Sequence, residues 1–269
     1  MVEPPSPSWS RYVALGDSTS EGLEDPHPDG SGYRGWTDRL AERLTTLNPE
    51  LLYANLAVRG RLARQVHEEQ LAPALALEPD LATVVAGLND VLRRSCDVGA
   101  VTGHLDAMLG ALRATGATVV TFTYPDPVPI NPIARPARGR VIAFNATLRE
   151  LAEHHGAVLV DLERHPITSD PRLWHPDRLH ANQEGHARIA AAIASGLALP
   201  GADDAWAQPL PPVLPPRRHR ALAADAAWAR RHFAPWVLRR LRGRSSGDGR
   251  SAKRPDLTPL HPSPSDLER

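Results

Sequence analysis

Cysteine is almost missing from this 269-residue chain, and a lone Cys96 excludes an intramolecular disulfide and any zinc or iron–sulfur site built from cysteines. Lysine is as scarce: Lys253 is the only one among 31 basic residues, a bias that fits a GC-rich bacterial genome and carries no mechanism. No run approaches the roughly 18 to 20 consecutive apolar residues of a membrane span, because Arg, Glu or Pro cuts every Ala/Leu/Val stretch. Integral membrane insertion is therefore excluded. The first residues, Met1 to Pro7, offer neither the basic nor the apolar region of a secretory signal, so a cytoplasmic location is expected. Hydrophobic content of 42% and charged content of 23% are ordinary globular values, which rules out wholesale disorder.

Net charge is zero overall but unevenly spread. Residues 1–216 carry 18 basic against 26 acidic residues, net −8, whereas residues 217–254 carry 12 against 2, net +10. The mildly acidic body makes a poor nucleic-acid binder, so no nucleic-acid partner is expected.

Short apolar runs with turn signals after them recur at residues 11–16, 51–57, 81–86, 118–124 and 157–161, and each reads as a buried strand. Segments of helical period lie between them, near 35–47, 61–77, 98–115 and 139–155, with a last one at 182–198. Strict alternation of this kind predicts an open, parallel, five-stranded sheet of order 2-1-3-4-5 with helices on both faces, a three-layer αβα fold. Five prolines between Tyr124 and Pro136 predict a stiff irregular loop at the carboxyl edge of the sheet. Beyond a main body over residues 1–208, a Pro-rich strap and basic segment are expected over 209–254, and a disordered tail over 255–269.

Ser18 stands two residues past the first predicted strand, where a turn feeds a helix N-terminus and a hydroxyl gains exposure. Alone it would serve equally as a helix cap. The surroundings are not a Gly-x-Ser-x-Gly elbow, since Ser20 occupies the place of the second glycine. Gly60 follows the second strand and Asn89 the third, and both strands flank the first, so Ser18, Gly60 and Asn89 converge outside one crevice. The Ser18 and Gly60 N–H groups and the Asn89 amide would there form a three-donor oxyanion hole. Asp177 and His180, three apart, share a face in a tight turn or helix, which lets the carboxylate hold the imidazole in one tautomer. His175, two residues from Asp177, is expected to point elsewhere. His154 and His155 fall in a helix on the far side, and the run from His67 fails His-Glu-x-x-His at Leu71, so no metal site is expected. Cys96 has no evident partner base and reads as a small semi-buried residue.

These four blocks, Gly16-Asp17-Ser18, Asn55-x-Ala57-x-x-Gly60, Gly87-x-Asn89-Asp90 and Asp177-x-x-His180, resemble in order those of the SGNH or GDSL esterase/lipase superfamily. The resemblance spans roughly residues 11–198. One departure is Thr19, where the family motif has Leu, a position outside the chemistry. The resemblance implies a flavodoxin-like catalytic domain over 1–208, no cofactor, and hydrolysis of carboxylic esters through an acyl-enzyme on Ser18, with His180 as base and Asp177 as its orienter. The expected partner is a small-molecule ester of short or medium acyl chain, since aromatic content is only 5% and no long apolar lid is visible. O-acetyl groups, thioesters and acyl transfer on the same site stay open. So does a second class of role: Trp228, Phe233, Trp236, Val237, Leu238 and Leu241 interleave with arginines within 217–244, which fits either a peripheral membrane or partner-binding protein acting through this segment, or a segment packed on the acidic body.

Overall fold

A computed structural model describes residues 8–93, 95–213, 218–235, 238 and 245–260. Tyr12 to Leu15 form an unbroken apolar run, and all four are fully buried in strand β1 (Arg11–Gly16). A strand apolar on both faces needs helices on both sides. The chain supplies them in alternation: α1 (Ser18–Glu21), α2 (Gly35–Leu47), β2 (Leu52–Asn55), α3 (Ala63–Ala76), β3 (Leu81–Val85), α4 (Leu88–Val91) and α5 (Val98–Ala114). Then come β4 (Thr118–Phe122), α6 (Pro127–Ile130), α7 (Arg138–His155), β5 (Val158–Val160), α8 (Gln183–Gly196), α9 (Arg218–Trp228) and β6 (Arg254–Pro259).

The sheet order is β5-β4-β3-β1-β2-β6. The first five strands are parallel, with Arg11 opposite Leu52 and Tyr12 opposite Leu81, so the expected 2-1-3-4-5 order is observed. Helices α2 and α8 pack together on one face and α3, α5 and α7 on the other. Trp36, Tyr53 and Phe144 are among the largest fully buried side chains; the Trp36 ring meets Phe122 edge-on at 5.8 Å.

Strand β6 corrects two expectations. The sheet has six strands rather than five, and residues 255–259 are ordered rather than part of a disordered tail. β6 runs antiparallel to β2, with Leu52 opposite Pro259 and Asn55 opposite Arg254. The physical reason lies in β2, which would otherwise leave a row of unpaired backbone groups at the sheet edge. Proline is tolerated because β6 is itself an edge strand. Side chains fasten it: the Arg254 guanidinium lies 5.6 Å over the Tyr53 ring, and Lys253 Nζ donates to Tyr33 O (2.8 Å) and Arg34 O (2.9 Å) while pairing with Asp38 (2.8 Å). Burial pushes the Asp38 carboxyl up, but His27, Lys253 and Tyr53 outweigh it and hold it below the usual range.

The proline-rich stretch is also more regular than expected. It forms α6 and a 3-10 turn (Pro132–Ala137). Asp126 accepts the Val128 N–H (3.0 Å) and Asn131 the Ile133 N–H (3.3 Å), which caps both turns and leaves proline at a first position, where it has no N–H to lose. Among the described residues no helix is long and apolar enough to cross a membrane. Trp236, Val237, Leu241 and the arginines at 239, 240, 242 and 244 of the basic segment lie outside the described residues, as do residues 261–269.

Candidate active site

β1 ends at Gly16, where φ is 151° and a Cβ would come within 2.3 Å of Val85 O, so the chain can turn there only without a side chain. The helix cap that follows is Asp17, not Ser18: its Oδ1 accepts the Thr19 N–H (3.0 Å), which makes Ser18 the first residue of α1. As the first helical residue, Ser18 has a backbone N–H with no carbonyl partner inside the helix.

His180 arrives from the opposite end of the sequence on a tight turn. His175 N–H donates to His180 O (2.8 Å) and Arg178 N–H to His175 O (2.9 Å), while Arg178 takes φ 61°, the left-handed region. The turn brings His180 Nε2 to 3.1 Å from Ser18 Oγ and His180 Nδ1 to 2.7 Å from Asp177 Oδ2. Asp177 Oδ1 accepts the backbone N–H groups of Leu179 (2.9 Å) and His180 (3.1 Å). Burial pushes the Asp177 carboxyl up, yet the hydrogen bond and charge of His180 and these backbone donors bring it down to about 2. A carboxylate so held keeps its proton acceptor directed at Nδ1–H, which leaves Nε2 able to accept from the serine.

His175 does not point elsewhere. Its Nδ1 lies 3.5 Å from Asp177 Oδ2 and accepts the Asp177 N–H (3.3 Å), which turns the ring back toward the carboxylate, and its Nε2 meets Glu24 at 3.2 Å. Glu24, Asp177 and His180 thus place potential metal-donor atoms within 4.8 Å of one another, as Asp106, His154 and His155 do at a separate, more exposed place. In the first cluster the imidazole is already committed to Asp177 and Ser18.

Gly60 lies in the loop after β2 with φ 76°, beside Arg59, whose N–H (2.6 Å) and guanidinium both bind Glu21. Asn89 sits in α4, entered through Gly87 (φ 102°), where a Cβ would meet the Phe144 ring at 2.6 Å. The Asn89 amide donates to Asp17 Oδ2 (3.0 Å) and to Arg61 O (3.1 Å), so its orientation is fixed from two sides. Asp17 is 2% exposed. Burial raises its carboxyl to about 6 despite the Thr19 hydrogen bonds and the nearby His180. Sequence reasoning weighed Ser18 as nucleophile or cap and gave Asp17 no role of its own. An acidic residue directly before a helix start was the available signal.

An apolar cavity of about 50 Å³ adjoins the site, lined by Thr19, Leu88, Tyr124, Trp174, Leu179 and Ile189 among others. Three of these are chain neighbours of Ser18, Asn89 and His180. Cys96 is half-buried, and burial raises its thiol.

Residues 14–188 match the model of the GDSL-like lipase/acylhydrolase family. The chain belongs to that family. This GDSL-like acylhydrolase is accordingly a carboxylic ester hydrolase acting on a small-molecule ester, and Ser18, Gly60, Asn89, Asp177 and His180 all fall inside the matched span. Among solved structures it is similar to LAE5, an alpha/beta hydrolase enzyme from the metagenome of Lake Arreo, Spain, at 24% identity and TM-score 0.58, covering 70% of this chain and 95% of that one. It is also similar to Axe2, an acetylxylan esterase from Geobacillus stearothermophilus (17%, TM-score 0.58, 71% and 94% covered). A third is the acetyl xylan esterase AlAXEase (18%, TM-score 0.57, 69% and 98%). At these identities the likeness is one of fold. Among curated proteins no match is found.

Proposed function

We propose that the enzyme hydrolyses short-chain carboxylic esters through an acyl-enzyme on Ser18. The observation that carries this is the unbroken chain Ser18 Oγ, His180 Nε2, His180 Nδ1, Asp177 Oδ2, with links of 3.1 and 2.7 Å. His180 takes the Ser18 proton as Oγ attacks the ester carbonyl, and the imidazolium is stabilised by Asp177. The tetrahedral oxyanion is received by the N–H groups of Ser18 and Gly60, and by Asn89 once one of its amide hydrogens turns from Asp17. His180 then hands its proton to the departing alkoxide. Water, deprotonated by the same imidazole, releases the carboxylic acid and restores Ser18.

The cavity favours small acyl groups. A volume of about 50 Å³ holds roughly three to four water-sized groups, which fits acetyl to butyryl better than a lipid chain. The acetyl xylan esterases among the structural neighbours make O-acetylated sugars a natural group to assay beside p-nitrophenyl esters.

Ser18→Ala and His180→Ala, assayed on p-nitrophenyl acetate and butyrate, should each lower kcat by on the order of a million-fold, with the double variant barely worse. An organophosphonate should label Ser18 and nothing else. Wild-type turnover by Ser18→Ala, or a label mapping to Ser20 or Cys96, would overturn the assignment.

A further inference from the structure

The family match ends at residue 188, yet chain well beyond it grips the turn that carries Asp177 and His180. Trp228, at the end of α9, donates its indole N–H to Asp177 O at 2.9 Å. The Arg178 guanidinium lies 4.8 Å over the Trp228 ring and pairs with Asp225 of the same helix at 2.6 Å. Phe233 also stacks on the Trp228 ring at 5.6 Å, and the His232 ring stands 6.2 Å from His175. Trp228 is only 7% exposed although residues 223–227 just before it in α9 are all solvent-exposed. The same segment returns to the other wall of the site, where Gly247 packs so closely on Arg59 O that a Cβ would come within 2.0 Å, and Ser245 Oγ donates to Gly60 O (3.4 Å).

These contacts have a common mechanical sense. Arg178 holds a left-handed backbone that a residue with a Cβ adopts only when its surroundings impose it. Its guanidinium is held by the indole beneath it and by the carboxylate of Asp225. Indole N–H is donor-only and needs an acceptor when buried, and the acceptor here is the main-chain carbonyl of the residue whose side chain orients His180. We propose that Trp228 is a positioning residue: through Asp177 O and Arg178 it fixes the direction of the Asp177 carboxylate toward His180 Nδ1. This rests on the serine-hydrolase reading above. It adds that the C-terminal segment outside the shared family region is part of what makes the site work.

Three full-length variants test it. Trp228→Phe keeps a ring under Arg178 and deletes the donor. Asp225→Asn removes the charge that Arg178 meets at the surface, where loss of folding is not at issue. Arg178→Gly relieves the left-handed backbone while cutting both tethers. In each, kcat on p-nitrophenyl acetate should fall about tenfold with KM within twofold, the pattern of a misaligned reacting group rather than of weaker substrate binding. The downfield proton resonance of His180 Nδ1–H should broaden or vanish in parallel. A merely structural role would leave kcat and that resonance unchanged in the folded fraction. Unchanged kcat and resonance in all three, with Ser18→Ala inactive, would overturn the positioning role alone. Activity in Ser18→Ala would instead overturn the serine-hydrolase reading itself, whatever Trp228 does.

Discussion

Replacing Asp177 by Asn changes one atom's chemistry and should silence the enzyme. The amide can keep its oxygen on the N–H groups of Leu179 and His180, now 2.9 and 3.1 Å from Oδ1. Its NH2 then takes the place of Oδ2, 2.7 Å from His180 Nδ1. Two donors cannot share that contact, so the imidazole must present a lone pair at Nδ1 and carry its hydrogen on Nε2, facing Ser18 Oγ. In that tautomer Nε2 has nothing with which to accept the serine proton. The corresponding change in a Ser-His-Asp protease costs about ten-thousand-fold in kcat with the geometry intact, and the same magnitude is expected here. Stability should fall as well. Burial raises the Asp177 carboxyl, but His180 and the backbone donors bring it from 3.8 to about 2, which corresponds to about 2 to 3 kcal/mol of folding free energy. A carboxyl lowered on folding contributes this above pH 4 and loses it as pH falls through about 2. The variant should therefore be less stable than wild type by about that amount at pH 7, and the gap should close toward pH 2. Urea unfolding at several pH values measures the gap and p-nitrophenyl acetate turnover the rate. A variant that keeps kcat within tenfold would refute the tautomer argument.

Asn89→Ala should lower kcat by roughly a hundred- to a thousand-fold with KM little changed, since its amide serves charge that develops only on the way to the tetrahedral state; a rise in KM alone would make Asn89 a binding residue. Burial holds the folded Asp17 carboxyl at about 6 against a usual 3.8, so folding favours its protonated form. Wild type should accordingly lose up to about 3 kcal/mol relative to Asp17→Asn as pH climbs from 4 through 6, and a pH-independent difference in urea titrations over that range would contradict it. Lys253→Ala leaves Asp38 buried with one partner fewer and should cost about 3 kcal/mol, read from the urea midpoint, while a cost below 0.5 kcal/mol would show that β6 does not depend on the pair. Exhaustive chelation should leave turnover unchanged, because the His180 nitrogens that a metal would need are taken by Asp177 and Ser18.

What could be read in advance follows from where information sits in the chain. Strands β1 to β4 are mostly apolar because both of their faces are buried, β5 is a shorter, half-buried Val-Leu-Val, and the five long helices between and after them start and end within two residues of their expected bounds. β6 could not be read this way. Its residues Arg254 to Pro259 are polar and proline-flanked, and what makes them a strand is the open edge of β2 some two hundred residues earlier. The convergence of Ser18 with Gly60 and Asn89 followed from strand order, whereas their detailed engagement did not. Asn89 is turned toward Asp17 by a carboxylate that spacing rules assign no partner. His175 was expected to point elsewhere from its two-residue spacing to Asp177, and the Asp177 N–H that donates to its ring defeats that count. Trp228 stood out only as one of the aromatics that could pack on the body, and its particular contact was not legible, since its acceptor is a main-chain carbonyl 51 residues away in sequence.

The near-absence of lysine has a practical side. The ε-ammonium of Lys253 is the only one in the chain, and it is held by Tyr33 O, Arg34 O and Asp38 just before β6 joins the sheet. Burial also disfavours its charged form against the pull of Asp38. Acylating reagents consequently have a single side-chain amine to find, and its three partners, with the side chain only 21% exposed, slow their attack until this stretch lifts away from β2. The rate at which Lys253 is tagged, followed by mass spectrometry against reagent concentration, is thus a clock for local opening, and its saturating limit gives the opening rate itself. The same segment closes over the Gly60 wall and continues from the helix that holds the His180 turn. One amine would therefore report, without any introduced probe, how often the catalytic end of the molecule comes undone.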